Sequence, residues 1–190
     1  IKHCLQNAND DGYSLGAQEN FNADTDTVVT PEVKNFDGFT APKKQQVTVE
    51  GDGTTTVIYR YTRNVHTLTL KNYDGKTDKT VEARYEMSIP KPTRAGYAFA
   101  GWYTDAKCTK EYKANMPDQD LTLYAKWEAN IVNYVVEHYQ QNVQGDGYTL
   151  KESSYARAAV DSEVTPEVMK YKGFEEPKTE KVTISGDGQT

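Results

Sequence analysis

Cysteine is scarce in this sequence, with only Cys4 and Cys108 among 190 residues. Two thiols cannot build the bridged framework of a disulfide-dense secreted domain. Basic excess is missing as well. The formal net charge is −6, with 22 Lys and Arg against 28 Asp and Glu. That balance argues against nucleic acid, which calls for a basic stripe. No apolar run approaches the ~18 residues that a spanning helix needs, so no membrane insertion is expected of this segment. No signal peptide or anchor is legible. Sustained 3.6-residue periodicity is absent, which leaves little room for helices.

What is present is a repetition. Adding 135 to the numbering of the first fifty-five residues aligns the two ends of the chain without a gap. His3 becomes His138, and Asp11-Gly12-Tyr13 becomes Asp146-Gly147-Tyr148. Thr30-Pro31-Glu32-Val33 becomes Thr165-Pro166-Glu167-Val168, and Gly38-Phe39 becomes Gly173-Phe174. Gly51-Asp52-Gly53 becomes Gly186-Asp187-Gly188. A segment that returns after a different intervening stretch describes an array. Arrays set length and valency, whereas an enzyme usually needs one pocket made once. Cys4 aligns with Tyr139, so the repeat requires no thiol there, and a bridge to Cys108 is not expected.

Alternating β-branched and aromatic runs dominate. They include Thr56–Thr62, with Val57, Tyr59 and Tyr61 on one face, and Leu121–Trp127, with Leu121, Leu123, Ala125 and Trp127 on one face. Val47–Val49, His66–Leu70 and Tyr134–Tyr139 also read as strands. Composition makes Gly51-Asp52-Gly53 a hairpin loop between two of these runs, and Asp74-Gly75 a second tight turn. Thr30-Pro31-Glu32 reads as an N-cap, a proline at the first helical position and an acid in the first turn. It predicts a helix of one or two turns before Gly38, with a copy starting at Thr165. The expected class is β-rich α+β, in three units bounded as 1–63, 64–129 and 130–190. The joints at Arg63-Asn64 and Glu128-Ala129-Asn130 are short and carry no Gly/Ser or Pro tract, so they should align the units rather than tether them. Counted against the repeat, the first copy starts a few residues inside its first strand. The second stops before the equivalent of Thr56–Thr62, which is expected to follow.

The middle unit carries Pro90-Lys91-Pro92-Thr93, then Gly96-Tyr97-Ala98-Phe99-Ala100-Gly101-Trp102-Tyr103-Thr104-Asp105, and closes with Asp120-Leu121-Thr122-Leu123-Tyr124-Ala125-Lys126-Trp127. These residues resemble the Listeria–Bacteroides repeat, the family of the internalin B-repeat. The resemblance implies a small ubiquitin-like β-grasp unit of a bacterial surface protein. The flanking copies resemble mucin-binding-protein (MucBP) repeats. They do so through His138-Tyr139, Val164-Thr165-Pro166, Tyr171-x-Gly173-Phe174, Pro177 and the closing strand Thr56–Thr62. They depart from that pattern in the stretch Gln140–Gly147. Together the resemblances imply tandem β-grasp units on a Gram-positive cell wall, and the short joints with the repeat period predict that they are arranged as an elongated rod.

Candidate chemistry is thin. The acid clusters Asp10-Asp11, Asp24-x-Asp26, Asp74-x-x-x-Asp78 and Asp118-x-Asp120 lack the density of a calcium loop and read as turn acids. His3, His66 and His138 have no second ligand at metal spacing. No serine sits in a nucleophile elbow, and no Gly-rich loop joins a strand to a helix. Neither catalytic residue, metal nor cofactor is therefore expected. Tyr97, Phe99, Trp102 and Trp127 are expected as core, as are Phe39 and Phe174. Tyr103 and Tyr124 are the candidates for stacking on a ligand. The expected role is a non-enzymatic stalk that carries a distal binding domain, its units touching neighbouring repeats in the same chain. The alternative is a repeated low-affinity module for host mucin, glycan or a surface protein.

Overall fold

A computed structural model describes residues 1–186, and every regular element in it is a strand. Asp187, Gly188 and Thr190 of the sequence repeat lie outside the described residues. The chain divides into two compact units, residues 1–90 with 102–124 and residues 91–101 with 125–190.

The first unit begins with the hairpin β1 (Lys2–Gln6) and β2 (Tyr13–Gln18), followed by the short strands β3 (Val28–Val29), β4 (Phe39–Thr40) and β5 (Val47–Thr48), and by β6 (Ile58–Arg63). β6 lies parallel to β1, with His3 opposite Tyr59 and Leu5 opposite Tyr61, and β4 closes its other edge. The sheet order is β2-β1-β6-β4, while β3 pairs with β5. Central position explains the alternation in β6. Tyr59 and Tyr61 are fully buried, while Arg60 and Thr62 point to solvent. Burying side chains of this size contributes roughly 1.5–3 kcal/mol each. Ile1, Leu5, Val33, Phe36, Phe39 and Val47 pack around Val57, Tyr59 and Tyr61.

The chain continues through β7 (Val65–Lys71), β8 (Lys79–Arg84), β9 (Tyr97–Tyr103), β10 (Glu111–Tyr112) and β11 (Leu121–Ala129), in the sheet order β10-β9-β11-β7-β8. β7 and β8 form a hairpin, with Gly75 at φ +87° in its turn, and β11 runs parallel to β7. Leu68, Leu70, Ala83, Trp102, Met116 and Leu123 are buried. Both sheets therefore repeat one plan, an N-terminal hairpin whose first strand takes the last long strand beside it in parallel.

The second unit holds β12 (Ile131–Gln141) paired with β13 (Tyr148–Ala159), and β14 (Glu163–Val164) paired with β15 (Val182–Thr183). These reproduce the first copy at the same offset. The bulge between His3 and Cys4 recurs between His138 and Tyr139. The pair Val28↔Thr48 recurs as Glu163↔Thr183. The hairpin bond from Asn7 N to Gly12 O, 2.9 Å, recurs from Asn142 N to Gly147 O, 2.9 Å. Asp10 at φ +61° is replaced by Gly145 at φ +70°, a left-handed position that glycine takes without strain.

Two expectations are corrected. No helix occurs among the described residues at Thr30 or Thr165, so the class is all-β and not α+β. Helices this short are marginal without outside help, and in the first copy tyrosine hydroxyls bond the backbone groups that a helix would use. Tyr59 Oη donates to Pro31 O at 2.8 Å, and Lys34 N, which a helix would pair with Thr30 O, donates to Tyr61 Oη at 2.9 Å. Nor is Gly51-Asp52-Gly53 a hairpin loop. β6 is claimed on both edges by β1 and β4, and β5 pairs instead with β3.

Candidate functional site: the joints between repeats

One residue, Asn64, separates β6 from β7, and one residue, Asn130, separates β11 from β12. In the first unit Asn64 N donates to Gly38 O at 2.9 Å, and Asn64 O accepts from Tyr85 N at 2.9 Å. Its side chain is equally committed. Oδ1 accepts from Thr40 Oγ1 at 2.9 Å, and Nδ2 donates to Asp118 Oδ1 at 2.9 Å. Thr40 belongs to the first repeat and Asp118 to the middle one, so this amide ties them directly. The same Asp118 oxygen lies 2.7 Å from His66 Nε2, and that contact, with the Asn64 bond, holds the carboxyl below its ordinary value.

Arg63 clamps the same joint. Nε donates to Gln6 O at 2.7 Å, and Nη1 donates to Tyr85 O at 2.9 Å and to Glu86 Oε2 at 2.6 Å. The guanidinium sits 4.7 Å from the Phe39 ring centre and 5.8 Å from that of Tyr85, a cation–π arrangement on two sides. Arg84 adds an ion pair to Asp10 at 2.7 Å. Gly38 lies so close to Tyr85 that a Cβ there would be 2.1 Å from the ring.

The second unit builds its joint the same way. Asn130 N donates to Gly96 O at 2.9 Å, and Asn130 O accepts from Val160 N at 3.0 Å. Gly96 sits at φ +77°, against +78° for Gly38. Its Cβ would come within 2.9 Å of Val160 Cγ1. Tyr97 follows this glycine as Phe39 follows the other, and Arg94 covers its ring at 3.4 Å. Tyr97 Oη donates to Asp161 Oδ2 at 2.5 Å, which raises the phenol above its ordinary value. Different repeats thus make one joint from one set of parts: a left-handed glycine, an aromatic after it, an arginine on that aromatic and a single asparagine linker. Sequence reasoning missed Gly38, Arg63, Tyr85, Gly96 and Arg94 as a set. The recurring Asn before each new strand was the available signal.

The other expected residues are placed as follows. Trp102 is 5% exposed, donates Nε1 to Pro90 O at 3.0 Å and stacks on Tyr73. Phe99 and Trp127 are half-buried and meet edge to face at 5.4 Å. Phe39 and Tyr97 are half-buried, in the joints. Phe174, the copy of Phe39, is 44% exposed. Tyr103 and Tyr124 are half-buried on β9 and β11, Tyr103 opposite Glu111 and Tyr124 opposite Lys71. Neither cysteine forms a disulfide. Asp74 receives the backbone N–H groups of Thr77 and Lys76, which lower it to about 2, and Asp105 receives those of Lys107, Thr109 and Lys110. These are turn acids in use. Among the described residues no group of three His, Cys, Asp or Glu is placed to hold a metal ion.

A cleft of about 610 Å³ in the first unit is lined by Ile1, Asn20–Ala23, Val29, Val47 and Val57 together with Glu19 and Glu32. Asn20–Ala23 correspond to Tyr155–Ala158, which pair with Val132–Val135 in the second copy.

Residues 66–126 match the Listeria-Bacteroides repeat domain. Two proteins of Evansella cellulosilytica are also similar. One, named "Putative membrane protein", is 34% identical over 80 residues, which is 40% of this chain and 12% of that protein. The other, named "Putative Gly-rich membrane protein", is 29% identical over 134 residues, 68% of this chain and 15% of that protein. The chain thus spans less than a sixth of the length of either relative.

Proposed function

We propose that this chain is a non-enzymatic stalk segment of a bacterial cell-surface adhesin, whose repeats hold a distal binding domain away from the cell wall. The observation that carries the reading is the pair of like joints. A tether would use a flexible, solvated linker, whereas each joint here is one asparagine with its backbone bonded on both sides. The strand order of the middle sheet, 2-1-5-3-4 counted along the chain with strands 1 and 5 parallel, supports a β-grasp plan for the repeat. The first sheet supports the same plan in its MucBP-like flank. The membrane-protein names of the Evansella relatives support a place at the cell envelope. Among the described residues no helix is long and apolar enough to cross a membrane.

On this reading three β-grasp units follow one another as a rod. A strand rises ~3.3 Å per residue, which gives roughly 35 Å per unit and on the order of 100 Å in all. Small-angle scattering should return a maximum dimension near ~100 Å. A compact particle of ~55 Å, the size expected of one domain of this length, overturns the reading. Joint stiffness is tested separately. Arg63→Ala removes charge-assisted bonds worth about 1.5–3 kcal/mol and should split one melting transition of residues 1–124 into two. An unchanged single transition means the joint does not depend on the clamp.

A second reading, adhesion by the repeats themselves, is favoured by one exposed pair that recurs. Tyr13 and Leu15 are 43% and 58% exposed, and their copies Tyr148 and Leu150 are 67% and 45% exposed. If Tyr13→Ser with Tyr148→Ser abolishes binding to mucin-coated surfaces at unchanged melting temperature, this reading replaces the stalk.

A further inference from the structure

The chain enters the middle repeat at Asn64, before β7, and leaves it at Asn130, after β11. These two strands are neighbours and run parallel. Leu68 lies opposite Leu121, Thr69 opposite Thr122, Leu70 opposite Leu123 and Lys71 opposite Tyr124. A pull along the chain therefore drags β7 by its first residue and β11 by its last. Parallel strands pulled in this way slide past one another, and the bonds between them lie roughly across the pull. Such bonds share the load and yield together. In a hairpin opened from its free end, by contrast, they yield one after another. Both strands are internal to the sheet, with β8 beyond β7 and β9 beyond β11. Leu68, Leu70 and Leu123 are fully buried, which keeps water from competing for the bonds as they stretch. Asp120, just before β11, adds one more bond, because its Oδ1 accepts from Thr67 N at 2.7 Å. The first repeat is threaded alike. β1 and β6 are parallel from Lys2↔Ile58 to Leu5↔Tyr61, and Arg63 Nε donates to Gln6 O at 2.7 Å past the last of these pairs. β6 then runs through Asn64 into β7, so the two parallel pairs stand in series on one chain.

We propose that this segment bears tensile load, and that in the middle repeat the load is carried in shear by the parallel pair β7/β11, closed by the Asp120–Thr67 bond. The hairpin β7/β8 is bypassed, since neither pulled end lies on β8. The inference rests on the stalk reading for the origin of the load, because a stalk between a cell and a bound surface is pulled along its chain. Its test does not depend on that reading. Shear strength is a property of strand order and direction, whereas the stalk reading is tested by the length of the particle.

The experiment is single-molecule force spectroscopy of the full chain, carrying Cys4→Ser and Cys108→Ser, held by its two ends. Residues 65–129 span ~3.5 Å each when extended, so the middle repeat should release about 200 Å of chain in one event. A second variant carries handles at Thr67→Cys and Glu82→Cys, which face one another across β7 and β8, so that the pull peels this hairpin. Pulling by the ends should need roughly twofold to fourfold more force, because four register pairs share the load instead of one at a time. Asp120→Ala should lower the force of one end-pulled event and leave that of the first repeat unchanged. Three results overturn the proposal: equal forces in the two directions, release of the middle repeat in a series of short steps, or unaltered forces in Asp120→Ala. A compact particle in scattering, with the directional strength intact, counts against the rod and for the sheared pair.

Discussion

The two copies share their turns and differ in their cores. Residues 1–63 and 131–186 place the same hairpin, the same bulge and the same short antiparallel pair at matching positions. Yet the first copy buries His3, Val57, Tyr59 and Tyr61, while the second buries only Val160 and Ile184. Phe39 packs against the aromatic cluster, and its copy Phe174 lies exposed. Turn chemistry acts between neighbours in sequence, so it survives unaltered. Burial of the sheet face in the first copy depends on β6, which pairs with β1 from more than fifty residues along the chain.

The largest effect should come from removing the contribution of β6. Tyr61 is fully buried, and its hydroxyl bridges His3 Nδ1 and Lys34 N. Tyr61→Ala should cost ~3–5 kcal/mol, as buried aromatic truncations do, and a small unit has little stability to spare. Hydrogen exchange should show protection lost across β1, β2 and β6 while β12 and β13 are unmoved. If the first copy keeps its protection, β6 is not what holds its sheet together.

A paired substitution sharpens the contrast. Gly38→Ala and Gly173→Ala make the same change at equivalent left-handed positions, φ +78° and +90°. Each should cost about 1–2 kcal/mol for the backbone alone. Only Gly38 has Tyr85 against it, so overpacking adds about 1–3 kcal/mol there. Thermal melts of the two variants should therefore differ, with Gly38→Ala the lower. Equal shifts would mean that Tyr85 swings aside and that the first joint is softer than its contacts suggest.

The same division explains what could be read in the sequence. The repeat, the Asp74-Gly75 turn and the strands around Ile58–Arg63, Val65–Lys71 and Leu121–Ala129 were legible, because period-two alternation and turn residues are local signals. The helix expected at Thr30 was too short to stand alone, and non-local contacts favour another path there. Its cap and its Pro31 are sound local signals, but the hydroxyls of Tyr59 and Tyr61, 28 and 27 residues away, satisfy those backbone groups in an extended path. The strand partners of β6 were misassigned for the same reason, since the parallel pairing with β1 spans the whole repeat. The joint was half legible. Its shortness was visible in Arg63-Asn64, but the glycine and the ring that complete it come from other turns.

The smallest effect tests the local half of the contrast. Asp74 has no core to lean on. It is fully exposed, and its carboxylate is lowered to about 2 by the N–H groups of Thr77 and Lys76 and by the Thr77 hydroxyl. An unfolded Asp titrates near ~3.9. Because the folded value is the lower one, its contribution is fully present above ~4 and is lost as pH falls through about 2. Nothing should change at this turn between pH 7 and 5. Below ~4 the Thr77 amide should exchange faster, and the loosening should stay within the β7–β8 turn, leaving Leu68 and Leu70 buried. Asp74→Asn keeps an acceptor for these donors but no charge, so the turn should form with its acid dependence flattened. Salt should weaken the effect in the wild type, since the charge is solvent-facing. A carboxyl titrating near 3.9, or acid loosening that spreads at once through β7 and β11, would show that this turn is held by the sheet and not by its own residues.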